Sequence, residues 1–226
     1  MQLIVRSLLL IAIIILLSSW YKQKITRIVF FGDSITEAGV GPEGFITRIG
    51  ESLKSKGLGG RYELVGAGIG GNKVYDLYLR MEEDVLARNP DMVFIWVGVN
   101  DVWHKQSFGT GTDPDKFVKF YRAIIQKLQA RNIKVVLCTP ATIGERTDFS
   151  NQQDGDLNKY SQLIRDLAKD LQCGLVDFRD IFHRYELSNN PGNKAEGILT
   201  SDGVHLNAVG NQLASDHMLE ALLALK

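Results

Sequence analysis

The chain has 226 residues, 45% of them hydrophobic and 23% charged, which excludes a wholly disordered chain and fits one large domain with at most an appendage. Its 26 basic residues balance its 26 acidic ones, and without a basic surplus or stripe a dedicated nucleic-acid binder is excluded. The 22 glycines have no triplet period, and two cysteines with four scattered histidines supply neither a disulfide scaffold nor a metal-ligand cluster.

The N-terminus is a separate object. Leu8 to Leu17 is an unbroken apolar run following Arg6 and Ser7. It is shorter than the ~20 residues a membrane span needs, and it matches the apolar region of a signal peptide. Leu17 stands two before Ser19, a poor cleavage site, so an uncleaved anchor is the alternative. A buried helix of the fold is disfavoured, because the run has no polar face. Residues 1–20 are therefore expected to be a signal peptide or membrane anchor. The protein would be exported, periplasmic or extracellular, and either secreted or tethered. In an oxidising compartment Cys138 and Cys173 could pair; two free thiols are the preferred reading.

A single domain is expected over 25–226. Strands are predicted at Ile25–Phe31, Tyr62–Val65, Met92–Val97, Ile133–Cys138 and Leu175–Phe178. Helical patterns fall near 43–56, 73–88, 114–131 and 154–172, with a last helix over Ala208–Leu225. Continuous apolarity in Met92–Val97 indicates burial on both faces. Alternation of this kind implies an α/β fold with a parallel sheet between two helical layers. In such a sheet, ligands bind beyond the carboxyl ends of the strands, where the strand order reverses.

The turns at those ends carry the chemistry. Ser34 follows the first strand in Gly32-Asp33-Ser34, where a hydroxyl is exposed beside backbone N–H groups. Alone it reads equally as a helix cap. Asp202 and His205 lie three apart in Ser201–Asn207, before the last helix. A tight turn there can set the carboxylate against the imidazole and leave the other ring nitrogen to take the proton of Ser34. Gly71 admits a close backbone approach. Asn100 can donate its amide to a developing oxyanion.

Four blocks in this order, Gly32-Asp33-Ser34, Gly71, Gly98-x-Asn100-Asp101 and Asp202-x-x-His205, resemble the SGNH hydrolase superfamily of GDSL-type esterases, lipases and acylhydrolases. The resemblance runs over about residues 26–220. It implies a three-layer flavodoxin-like fold with a five-stranded parallel sheet. It implies Ser34 as nucleophile, His205 as base and acid, and Asp202 as its partner, with Ser34, Gly71 and Asn100 forming the oxyanion hole. No metal or other cofactor is expected. Gly66, Gly68 and Asn72 depart from the second block of many relatives, which bears on subfamily and not on the triad.

Two other classes compete. Gly66-x-Gly68-x-x-Gly71 satisfies a dinucleotide fingerprint, but it follows the second strand, and Asp101 stands too far on to be its acidic partner. A non-catalytic carbohydrate- or partner-binding module would normally lack a triad member. For the ester, the segments 103–115, 141–154 and 183–199 read as polar loops without a lid helix. They favour a small acyl group on a carbohydrate or other polar alcohol. Asp33, Trp103, His104 and Arg146 are candidate substrate contacts. Lysophospholipase or thioesterase activity is the runner-up.

Overall fold

The computed structural model describes residues 24–225; the proposed signal or anchor segment lies outside them. Five parallel strands form the sheet: β1 (Thr26–Gly32), β2 (Tyr62–Gly68), β3 (Met92–Trp96), β4 (Lys134–Cys138) and β5 (Gly174–Val176). Their order is β2-β1-β3-β4-β5, the flavodoxin-like arrangement. Eight helices surround them among the described residues: α1 (Ser34–Ala38), α2 (Phe45–Ser55), α3 (Val74–Asp84), α4 (Val99–Phe108), α5 (Pro114–Gln129), α6 (Asp154–Asp170), α7 (Phe178–Asn189) and α8 (Ala208–Ala224). None is long and apolar enough to cross a membrane.

β3 is apolar throughout, and β1 and β4 are free of charge beyond Arg27 and Lys134, because both faces of these strands are covered. All five residues of β3 are buried. Val29, Phe31, Val93 and Ile95 pack under Leu77 and Met81 of α3, Phe117 and Ile124 of α5, and Ile164 of α6. Ile28, Phe30, Phe94 and Trp96 pack under Phe45 and Ile49 of α2, Phe178 and Phe182 of α7, and Met218 of α8. Phe30 stacks on Phe94 at 5.2 Å and Trp96 on Phe178 at 4.3 Å between ring centroids. Gly32 stands level with Gly68 on one side and Trp96 on the other, and Trp96 with Cys138, so the strand ends share one edge. Cys138 is buried and Cys173 half-buried, and both are free thiols.

Four expectations from the sequence need correction. The fifth strand stops at Val176, because Asp177 accepts the Asp180 N–H and caps α7. Phe178 thus opens a helix whose inward residues, Phe178, Ile181, Phe182 and Tyr185, follow helical spacing, so the first part of 183–199 is helix and not loop. The segment Trp103–Phe108 is likewise helical, as the end of α4. The helix near 73–88 ends at Asp84, and a short 3-10 turn, Leu86–Arg88, completes it.

Replacing Phe178 by alanine removes a fully buried ring from between Trp96 and Phe182. Urea unfolding of Phe178→Ala should give a loss of about 3–5 kcal/mol. A loss below about 1 kcal/mol would mean that the site collapses around the missing ring.

Candidate active site

The predicted chemistry gathers at the carboxyl edge of the sheet, around the β1/β3 junction. Ser34 is the first residue of α1, and the Asp33 side chain caps that helix by accepting the Ile35 N–H at 3.1 Å. Ser34 Oγ lies 2.9 Å from His205 Nε2, across 171 positions of sequence. His205 Nδ1 lies 2.7 Å from Asp202 Oδ2. With the proton on Nδ1, Nε2 is free to accept from the serine hydroxyl.

The three-residue spacing of Asp202 and His205 has a local cause. Ser201 N–H donates to the His205 carbonyl at 2.8 Å, and Thr200 and Leu206 form an antiparallel bridge. The intervening residues form a tight turn inside which Asp202 Oδ1 accepts the Val204 and His205 N–H groups at 3.0 and 2.7 Å. Burial would raise the Asp202 carboxyl, but these bonds and the His205 imidazole outweigh it and hold it below the ordinary value. It is therefore ionised at neutral pH and suited to stabilise an imidazolium.

Gly71 has φ +75°, a conformation that costs an L side chain about 1–2 kcal/mol. The nearly buried Asn100 donates one amide hydrogen to the Asn72 carbonyl at 3.1 Å, which joins the turn after β3 to the turn after β2. Arg80 joins β1 and β2 as well. Its guanidinium donates to the Gly32 carbonyl at 2.7 Å, the Ala67 carbonyl at 3.0 Å and Asn72 Oδ1 at 2.7 Å. It also lies 4.6 Å from the Phe31 ring. Sequence reasoning missed Arg80. The available signal was an arginine between Leu77 and Met81, on the edge of the buried stripe of α3.

The candidate substrate contacts separate into three cases. Asp33 is 1% exposed and engaged as a helix cap, so the expectation that it touches substrate is corrected. Trp103 stands with its ring 6.3 Å from that of His205. Together with Gln106, Arg146, Asn151, Gln153 and Asp202 it lines an open, mostly polar groove of about 320 Å³. His104, its ring 5.5 Å from that of Trp103, has Cε1 3.8 Å from where a Cβ on Gly71 would stand. A larger cavity, about 670 Å³, opens at the amino ends of the strands, beside Thr26, Tyr62, Met92 and Lys134, away from this chemistry. Gly68, the central glycine of the dinucleotide-like run, allows α1 to pack on β2: a Cβ there would stand 2.0 Å from the Glu37 nitrogen. Among the described residues, no three His, Cys, Asp or Glu side chains group as metal ligands.

Beneath the nucleophile lie two buried acids. Burial pushes Asp33 up to about 7, with the neighbouring Asp101 charge adding to the rise. Burial likewise raises Asp101 to about 7, although its carboxylate accepts the Val74 N–H. Unfolded, such groups ionise near 3.8. Between about pH 4 and 7 the folded chain thus holds protons that the unfolded chain has lost, so their contribution to stability is full at the acid end and lost as pH rises through 7. Thermal melts of the wild type should fall over that window, and Asp33→Asn, which keeps the acceptor for Ile35, should fall less steeply. Equal slopes would mean that Asp33 is ionised in the folded protein.

Comparison with known proteins places the chain in a family. The model of the GDSL-like Lipase/Acylhydrolase family matches residues 30–213. The crystal structure of an acetyl xylan esterase, AlAXEase, is 63% identical and superposes with a TM-score of 0.86, covering 87% of this chain and 99% of that one. An acetylxylan esterase of Geobacillus stearothermophilus is 27% identical over 214 residues, 87% of this chain and 93% of its own length. Solved structures of an acetylxylan esterase from that organism, 23–24% identical with TM-scores of 0.76–0.77 over 88% of this chain and 94% of theirs, are catalytic mutants lacking a serine, an aspartate or a histidine. The chain therefore belongs to the GDSL-like lipase/acylhydrolase family and is a hydrolase of ester bonds.

Proposed function

We propose that the chain removes acetyl groups from carbohydrate by serine esterase chemistry, with Ser34, His205 and Asp202 as the catalytic triad. The observation that carries the mechanism is the hydrogen-bonded chain from Ser34 Oγ through His205 to Asp202, at 2.9 and 2.7 Å. The groove beside Trp103 supports a sugar as the alcohol: an aromatic ring at its end and amide and guanidinium groups along it suit hydroxyl-rich ligands. The 63% identity to an acetyl xylan esterase supports both the acetyl group and the sugar. An exported location, read from residues 1–20, would bring the enzyme to polysaccharide, and any membrane attachment would run through the same segment. That part of the proposal rests on the sequence alone.

In this reading the Ser34 hydroxyl attacks the ester carbonyl while His205 Nε2 takes its proton. The Ser34 and Gly71 N–H groups and the Asn100 amide receive the oxyanion, each donor contributing about 3 kcal/mol in the transition state. Collapse breaks the C–O bond to the sugar, and His205 returns the proton to the departing alcohol. Water then attacks the acetyl-serine with His205 again as base. Acetate leaves and the Ser34 hydroxyl is restored. Asp202 stays ionised throughout and holds the imidazole in the tautomer that this cycle needs.

A p-nitrophenyl ester series from acetate to palmitate, run beside Ser34→Ala, tests the reading. Hydrolysis should be fastest at acetate and fall by several powers of ten in the variant. Faster turnover of octanoyl and longer esters would replace the carbohydrate reading by the lipid or thioester one. No serine-dependent turnover would favour a binding module. Asp202→Asn should fold and lose about 10⁴ in kcat through the wrong tautomer; a near-wild-type rate would remove Asp202 from the triad.

A further inference from the structure

Asp202 and His205 sit on a surface hairpin, both partly exposed, yet their positions relative to Ser34 must hold to a fraction of an ångström. Directly behind the hairpin is Glu145, from the connection between β4 and α6, and it is fully buried. Its carboxylate accepts the Ile198 N–H at 2.7 Å, the Leu199 N–H at 2.7 Å, the Thr200 N–H at 2.6 Å and the Thr200 hydroxyl at 2.8 Å. The same Thr200 Oγ1 accepts the Gly203 N–H at 3.0 Å, and the Gly144 N–H donates to the Gly203 carbonyl at 2.8 Å. Gly203 is thus gripped at both its N–H and its C=O, immediately after Asp202. The backbone of Glu145 is fixed in turn: its N–H donates to the Ala195 carbonyl and its carbonyl accepts from Asn190 Nδ2 at 2.8 Å.

We propose that Glu145 is a positioning residue for the triad, acting through Thr200 and Gly203 to hold the Asp202–His205 hairpin in register with Ser34. A buried carboxylate is costly unless its lone pairs are met by donors, and the four donors here come from three consecutive residues of one segment. Any shift of that segment breaks several of these bonds together. The arrangement is therefore stiff in the direction that matters for catalysis. The inference rests on the reading of Ser34, His205 and Asp202 as a hydrolytic triad.

The test is Glu145→Gln, whose amide can keep the three bonds made to Oε1 but then turns N–H groups toward the Ile198 N–H that now donates to Oε2. The folded variant should lose about 10- to 100-fold in kcat on p-nitrophenyl acetate with KM changed less than about threefold, the signature of misplacement and not of lost binding. The low-field proton resonance of His205 Nδ1–H, read by NMR without any turnover, should move or broaden. A folded variant with that resonance unmoved overturns the proposal, whatever its rate. Should Glu145→Gln fail to fold, Thr200→Val and Thr200→Ser decide. Loss of kcat in the valine variant with recovery in the serine variant supports the relay, and equal behaviour overturns it. If the wild type itself shows no turnover that depends on Ser34, the functional reading fails separately, and the resonance still reports on Glu145.

Discussion

Between β1 and β3 the chain leaves one sheet toward opposite faces, and the site depends on that divergence. From β1 it crosses through α2, on the face that also carries α7 and α8. From β3 it continues through α5, on the face shared with α3 and α6. Right-handed crossovers forbid both connections from using the same face when they step in opposite directions along the sheet. The two strand ends are therefore left uncovered side by side, and one carries Ser34 and the other Asn100. Because Gly32 is level with both Gly68 and Trp96, the turn after β2 reaches the same edge and brings Gly71 there. The last helix, α8, returns along the first face, so the hairpin that precedes it can close over Ser34.

The parts of the site that the sequence displays are those whose geometry is local. Asp202 and His205 meet through one turn, so their spacing could be read directly, whereas Asp33, expected to touch substrate, caps the helix it adjoins. The strands were legible because burial on both faces removes polar residues from them. The helices α4 and α7 were not. The first turn of α4, Val99 to Val102, is buried all round, including Asn100 and Asp101, and so shows no amphipathic period. In α7 the period is present, but Phe178 continues the apolar run of β5 and conceals the cap at Asp177. Arg80 and Glu145 were hidden for a different reason. Their partners, Gly32 for the one and residues 198 to 200 for the other, are mostly backbone groups dozens of positions away, and a backbone acceptor or donor leaves no mark in the sequence.

Three carboxyl groups near the site illustrate how donors, more than burial, decide the charge. Asp33 and Asp101 are buried with few donors, and burial pushes each up to about 7. Asp202 meets two backbone N–H groups and an imidazole, and stays ionised although it is partly covered. With their ionisation moved up to about pH 7, Asp33 and Asp101 place less negative charge around Ser34 than two ordinary carboxylates would, and so oppose the oxyanion less. The ionised carboxylate is reserved for the far side of His205, where it stabilises the imidazolium. The placement of donors thus separates two electrostatic demands that the same residue type could not otherwise meet within one small site.

The two sides of the nucleophile also differ in what they offer a substrate. Toward Gly71 the walls are backbone turns, clamped together by Arg80 and Asn100 and closed by the His104 ring. Toward Trp103 the walls are side chains from α4 and from the 143–153 segment, around an open polar groove. The first side has little freedom to move, because each of its turns is bonded to its neighbour. Rigidity suits the half of the reaction that is common to every ester, the carbonyl and its developing charge. The open groove suits the half that varies, the alcohol, since exposed side chains can change without disturbing the sheet edge. Sequence differences among relatives that alter the preferred alcohol should therefore fall along that groove and leave the turns after β1, β2 and β3 as they are.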